Sequence, residues 1–324
     1  MKLIPCVRNG ECGFYDVVGR QFYGNAATKG SFKVGEPDRY CSILPIPVQY
    51  ITKVGEPVEP SLCVVDESTG EILTRGVDYS AEFADNVYEG TGMVTIAGIN
   101  ENVEYLMRSP KVAFEIAYKL PQDCYRVEYL QGDGAAYIDL GIRLSSKDTV
   151  EVTAMASEAA SFVFGGRTGS NDGFFWAFNS SDDSVMAQCG DSSARIRLEH
   201  RSSDFVNQKV KCILGASTKQ FIDTNGVCFA SANVVSGSFT CGTNTCLFAG
   251  TGNITGWSNH NFTGRIYSFN VSNDGSPKLV LIPCWRNGKF GFYDMVDEKF
   301  YKNAAKNGEF VSNKKFGSLV IMCY

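Results

Sequence analysis

The chain has 324 residues, 44% hydrophobic content and a net charge of −5. That length predicts two or three domains, and that much apolar content is ample for well-formed cores. An acidic balance with no basic run longer than the "NKK" at 313–315 excludes a nucleic-acid binder, which would show a basic stripe.

The opening segment, "MKLIPCVRNGECGF", lacks an apolar h-region, so no secretory signal is expected. No stretch of 18 apolar residues occurs, so no membrane insertion is expected either. Frequent Gly and aromatic residues, interleaved with Ser, Thr, Asn and Asp, predict short strands and tight turns rather than helices. Residues 4–16, "IPCVRNGECGFYD", return as "IPCWRNGKFGFYD" at 282–294. Over Leu3–Phe32 against Leu281–Phe310, 19 of 30 positions are identical without a gap, so both are copies of one structural unit. Residues 1–40 are therefore read as a partial unit whose body is missing. Ile4, Phe14, Tyr15, Phe22 and Tyr23 are too apolar to leave in water, which makes Phe14, Tyr15, Phe22 and Tyr23 the expected assembly contacts.

Residues 46–119 form the second segment. In "GMVTIAGI" and "KVAFEIAY" every second residue is apolar, the period of a half-buried strand. Turn residues recur at the spacing of a β-sandwich, and no Cys–Trp–Cys pattern of an antibody-type core is present. The run "LTRGVDYSAEFADNVYEGTGMVTIAGI" resembles the bacterial immunoglobulin-like repeat through Gly76, Asp78, Tyr79, Asn86, Gly90, Thr91 and the strand Val94–Ile99. That resemblance implies a spacer or weak adhesion unit and carries no catalytic residue with it.

The third segment, 123–312, alternates at Thr149–Thr153, Phe174–Phe178, Lys209–Ile213 and Arg265–Val271, with no sustained helical period. It is too long for one immunoglobulin sheet pair and suits a jelly-roll sandwich of a dozen or more strands. "EYLQGDGAAYIDLGI", "FVFGGR", "QFIDTNGV", "FTGRIYSFNV" and the closing "LIPCWRNGKFGFYDMVDEKFYKNAAKNGEF" resemble the laminin-G/concanavalin-A-like domains of surface proteins of gut bacteria and their phages. The expected fold is all-β: an immunoglobulin-like sandwich, then a concanavalin-A-like (laminin-G-like) jelly-roll sandwich, with a partial copy of the latter's closing strands at the N-terminus. Residues 313–324 read as a further strand or tail.

The 12 cysteines are scattered with no C-x-x-C pair. The tightest spacing, Cys241 to Cys246, has no second pair or nearby His to complete a zinc site. They are expected to be mostly reduced thiols, as in a protein folded in a cytoplasm. Catalysis is not expected. A glycoside hydrolase needs two carboxylates across a cleft, yet Glu151 has no carboxylate two residues on, and Glu199, His200 and Asp204 in "LEHRSSD" read as a polar loop. No G-x-S-x-G accompanies the two histidines.

No cofactor is expected, with calcium as the candidate cation. The resemblance implies a rim site of carboxylates and carbonyls, for which Asp172 in "RTGSNDG" and Asp182 and Asp183 in "NSSDDS" are the candidates. Turn chemistry also accounts for these residues. A sugar site needs an exposed aromatic and hydrogen-bonding side chains, and Trp257, Asn259, His260, Asn171 and Asp172 are the candidates. For Trp257, ligand stacking and packing within its loop stay equally open. Trp176 and Trp285 are expected in the core.

The expected function is a non-enzymatic virion structural or adhesion protein, such as a fibre, decoration or tail appendage, contacting host glycans or mucin. The alternative is part of a bacterial cell-surface adhesin built from the same modules. Partners would be other virion or surface subunits, including further copies of the chain.

Overall fold

The computed structural model describes residues 1–8, 11–26, 39–67, 69–99, 105–107, 111–159, 161–167, 173–179, 184–191, 195–232, 237–250 and 261–313. Their regular structure is β throughout, apart from a 3-10 turn at Ser202–Phe205, as the sequence predicts. Two compact units emerge, one of residues 1–50 with 57–117, the other of 51–56 with 118–324.

The first unit opens with a three-stranded antiparallel meander, β1 (Leu3–Arg8), β2 (Glu11–Asp16) and β3 (Gln21–Tyr23). Its β1–β2 register pairs Leu3 with Asp16 and Pro5 with Phe14, and Phe14 in turn faces Tyr23. Asp16 fixes the return turn by accepting from the Lys2 and Val18 N–H groups, each at 3.0 Å.

Eight strands follow: β4 (Arg39–Ile43), β5 (Gln49–Ile51), β6 (Val64–Asp66), β7 (Ile72–Leu73), β8 (Tyr79–Ala84), β9 (Gly90–Gly98), β10 (Tyr105–Met107) and β11 (Lys111–Tyr118). They make two four-stranded sheets, ordered β10-β4-β6-β7 and β5-β11-β9-β8. The sheet containing β4 thus begins ahead of residue 46, where composition alone places the boundary.

Gly76, Asp78, Tyr79 and Asn86, singled out in the sequence, have visible tasks. Gly76 adopts φ +85°, which a side chain would resist, and its N–H donates to the Tyr79 carbonyl at 2.8 Å. Asp78 accepts from the Thr74 N–H at 2.7 Å, and the Tyr79 ring is buried. Asn86 exchanges bonds with Val58, donating from Nδ2 at 3.0 Å and accepting through its own carbonyl at 2.8 Å. A buried amide held this way ties a loop distant in sequence to the start of β9.

Among the described residues the second unit has sixteen strands. The early ones are β12 (Cys124–Arg126), β13 (Leu130–Asp133), β14 (Ile138–Asp139), β15 (Asp148–Ala156), β16 (Ser161–Arg167), β17 (Gly173–Asn179), β18 (Ser184–Gly190) and β19 (Arg195–Arg201). The later ones are β20 (Lys209–Leu214), β21 (Lys219–Ile222), β22 (Cys228–Ala232), β23 (Cys246–Leu247), β24 (Thr263–Asn273), β25 (Ser276–Arg286), β26 (Lys289–Asp294) and β27 (Lys299–Lys302). A ten-stranded sheet runs β22-β21-β20-β15-β24-β25-β26-β27, with β12 beside β25 and β13 beside β24. A six-stranded sheet runs β14-β23-β16-β17-β18-β19.

One apolar core lies between them, fed by Val150, Val152, Ile266 and Phe269 from the larger sheet and Phe164, Phe174, Trp176 and Ala187 from the smaller. Phe164 meets Phe269 edge-on across it, ring centroids 5.3 Å apart, and Trp176 meets Phe221 at 5.6 Å. β15 shows the strict alternation that sequence patterning detects, burying Asp148, Val150, Val152, Ala154 and Ala156. Asp148 is the polar exception: Lys278 Nζ at 3.0 Å and Asn273 Nδ2 at 2.8 Å satisfy it, joining the start of β15 to β24 and β25.

The closing meander β25–β27 repeats the N-terminal one in register. Leu281 pairs with Asp294, Pro283 with Phe292, and Phe292 with Tyr301. Asp294 accepts from Val280 and Val296 N–H groups as Asp16 does from Lys2 and Val18. At Gly291, as at Gly13, a Cβ would run into the carbonyl oxygen and the phenylalanine ring of the neighbouring strand, so both copies need glycine there.

Candidate functional site

The sequence-derived sites fall unevenly on this frame. Asn171, Asp172, Asp182, Asp183, Trp257, Asn259, His260 and the tail beyond residue 313 lie outside the described residues. Among the described residues no group of three His, Cys, Asp or Glu side chains is placed to hold a metal ion. Trp176 sits in the core as expected, but Trp285 does not. It shares the strand parity of core-facing Leu279 and Leu281 but stands one residue from the end of β25, half-buried and tilted against Tyr125 with centroids 5.7 Å apart. Glu151 forms an outward-facing ion pair with Lys211 at 2.5 Å across β15 and β20, a structural use. Asp204 lies in a place the sequence does not single out.

That place is a groove of about 630 Å³ at one end of the larger sheet. Two segments at least 13 residues apart build its walls: Asp204–Val210 on one side, Asp223–Asn225 with Phe229 on the other. The β20–β21 register, which sets Lys211 opposite Ile222, brings the start of β20 beside the turn after β21. The first wall is shaped by the 3-10 turn Ser202–Phe205 and by Asn207, whose φ of +62° turns the chain into β20. Asn207 N–H donates to the Ala156 carbonyl at 2.7 Å, and Gln208 Nε2 donates to the Asp204 carbonyl at 2.8 Å.

The second wall is a hairpin turn organised by Asp223. Its Oδ1 accepts from the N–H groups of Asn225 at 2.8 Å and Val227 at 2.9 Å, a side chain mimicking a backbone turn. The Val227 bond in particular holds the Asp223 carboxyl below the ordinary aspartate range, since it stabilises the ionised form. Phe229 provides the apolar surface between the walls. It stacks on Phe205, centroids 5.3 Å apart at 23°, and touches core Phe221 at 6.3 Å, so its ring is held from behind. Lys209 leans over the Tyr267 ring at 4.0 Å, a cation–π contact that draws its ammonium toward β24, while the rest of the residue lines the groove.

Carboxylate, amide and hydroxyl side chains thus line the groove around a buttressed aromatic. Such a set can exchange several hydrogen bonds with a polyhydroxylated ligand while its apolar face meets Phe229. A catalytic acid needs a raised pKa, whereas Asp223 is shifted downward and commits Oδ1 to the turn. The signal available in the sequence was the "DTNG" turn, and nothing local to it announces the wall at 204–210 opposite.

The assembly residues are described. Phe14 and Tyr23 are 41% and 38% exposed, while Tyr15 and Phe22 are half-buried.

No protein-family model matches the chain, and no curated protein matches it in sequence. Among solved structures, it is similar to one from Bacteroides ovatus described as a "putative carbohydrate binding protein", at 10% identity and TM-score 0.44, over 85% of this chain and 87% of that one. It is also similar to domains LG4-5 of the mouse laminin alpha1 chain, at 11% identity and TM-score 0.31, over 49% of this chain and 44% of that one. At these scores the likeness assigns no family.

Proposed function

We propose that this chain is a non-enzymatic structural and adhesion protein of a virion that contacts host-surface or mucosal glycans through the groove between Asp204–Val210 and Asp223–Phe229. The observation that carries the reading is the groove's lining: seven polar or charged residues around the stacked pair Phe205 and Phe229. In this reading residues 46–119, with β4, form an immunoglobulin-like spacer, and residues 123–312 form the laminin-G-like module that meets the ligand. The described cysteines, most of them buried as small apolar side chains, suit folding in a reducing compartment before assembly.

The test is binding of the full-length chain to a glycan array and to mucin, with and without calcium. Thr224→Ala and Asn225→Ala remove exposed hydrogen-bonding groups and leave the phenylalanine stack in place. Each is expected to weaken binding by roughly tenfold, as for a contact residue. Absence of binding to every glycan, or binding untouched by both changes but abolished by Trp257→Ala, would move the site away from this groove.

A further inference from the structure

The two copies of the meander share sequence, register and turn bonds, yet differ in what covers them. In the closing copy, Leu281 and Phe292 are fully buried and Tyr301 is 6% exposed, all three in the sandwich core. Their N-terminal equivalents Leu3, Phe14 and Tyr23 are 45%, 41% and 38% exposed. The opposite face differs likewise: Ile282 is 5% exposed and Ile4 45%. In the closing copy that face packs through Cys284 and Tyr293 on Cys124 and Leu120.

The free edge follows the same rule. β25 is flanked by β24, through Leu279–Leu281, and by β12, through Cys284–Arg286. The equivalent residues of β1 are Met1–Leu3 and Cys6–Arg8, and in its sheet β1 is the outermost strand, paired with β2 alone. An edge strand with apolar faces is a template for addition to another sheet. The carboxylates of the two turns record the difference. Burial pushes Asp294 above the ordinary range, whereas in the thin N-terminal sheet the Lys2 N–H bond holds Asp16 below it.

We propose that the N-terminal meander is the closing piece of a second sandwich: it docks onto a β-sandwich body of a neighbouring chain that ends at a strand equivalent to β24 and lacks closing strands of its own. The surface that fits Leu3, Phe14 and Tyr23 is of the kind Leu281, Phe292 and Tyr301 occupy here, since 19 of 30 residues are the same. In this chain that surface is already filled by β25–β27, so an intact second copy does not offer it. The inference is independent of the glycan-binding reading.

The test mixes the intact chain with an open body, residues 118–275 of the same sequence, co-expressed as a separate polypeptide. A second arm joins that open body directly ahead of Met1 of the full chain. The expected result is a one-to-one complex in the first arm and a protease-resistant added body in the second. Amide exchange in β1 should slow by about tenfold or more in both, and Leu3→Asp and Phe14→Asp should each abolish these effects. Tryptophan fluorescence of the intact chain confirms that each variant keeps its own sandwich. Protection in the fused arm alone would overturn a neighbouring chain as the source. Protection in neither arm, or self-association of the intact chain through β1, would overturn the docking itself.

Discussion

Phe14 and Phe292 offer a matched pair: one residue type at one register position in two copies of one meander. Each lies between a proline on the first strand and a tyrosine on the third. Phe292 is fully buried in the sandwich core, so truncation to alanine removes its burial and leaves a cavity that close neighbours refill only partly. Such changes cost about 3–5 kcal/mol. Phe14, already 41% exposed, should lose about 1 kcal/mol, since only part of its ring leaves an apolar setting. All three tryptophans lie in the second unit, so urea unfolding followed by their fluorescence reads the sandwich alone. With a slope of ~2–3 kcal/mol per molar urea, Phe292→Ala should lower the midpoint by roughly 1.5 M, and Phe14→Ala should leave it in place. Equal shifts for both variants would refute the reasoning, because the N-terminal copy would then be supporting the sandwich. A Phe292→Ala cost under about 1 kcal/mol would refute it from the other side.

Cys124 and Cys284 bring their sulfurs to 2.8 Å in a buried pocket on the outer face of β25, and this contact lowers the Cys124 pKa and, together with burial, raises that of Cys284. Oxidation with diamide should join them. Closing a loop across 160 positions would stabilise the second unit by about 5 kcal/mol on the chain-entropy model, and a Cys124→Ser variant losing as many titratable thiols would exclude this pair. Asp133 Oδ1 accepts from Ala135 and Ala136 at 2.9 Å each, and Oδ2 from Glu309 at 3.1 Å. Burial opposes its ionisation, but the three N–H bonds outweigh that and lower its pKa. Because the folded value lies below the unfolded one, its contribution is present above about pH 4 and lost as pH falls through the folded pKa. Asp133→Asn should cost roughly 1–2 kcal/mol at pH 7 and flatten the pH dependence of stability in that acid range. An unchanged acid limb in the variant would count against it.

Much of the fold was legible because its signals are local. The alternation in "DTVEVTAMA" and "KVKCIL" set the faces of β15 and β20, whereas Phe174–Phe178, read as alternating, is a continuous apolar run buried on both faces of β17. Trp285 was misread because parity alone does not show where cover ends. It shares the parity of core-facing Leu279 and Leu281, yet it stands one residue from the end of β25, half-buried beside Tyr125. The groove was illegible for a different reason. Asp204, Asn207 and Gln208 use their polar groups in ways that any turn would, and so does Asp223. Only the antiparallel pairing of β20 with β21 sets the two turns face to face around Phe229.

The meander repeat shows where the boundary of such reading lies. Gly13 and Gly291, Asp16 and Asp294, Phe22 and Phe300 do the same local work, because strand spacing and turn bonds depend on neighbours within 20 residues. Identical sequence therefore produced identical local structure. Burial is not local: it depends on which other sheet supplies the opposing face, and here one copy has β24, β12 and the sandwich core against it while the other has an exposed face. A sequence optimised for burial but found uncovered retains residues that cost free energy in water. The parity of the apolar positions then identifies what kind of surface they were shaped to meet, as Leu281, Phe292 and Tyr301 show for Leu3, Phe14 and Tyr23.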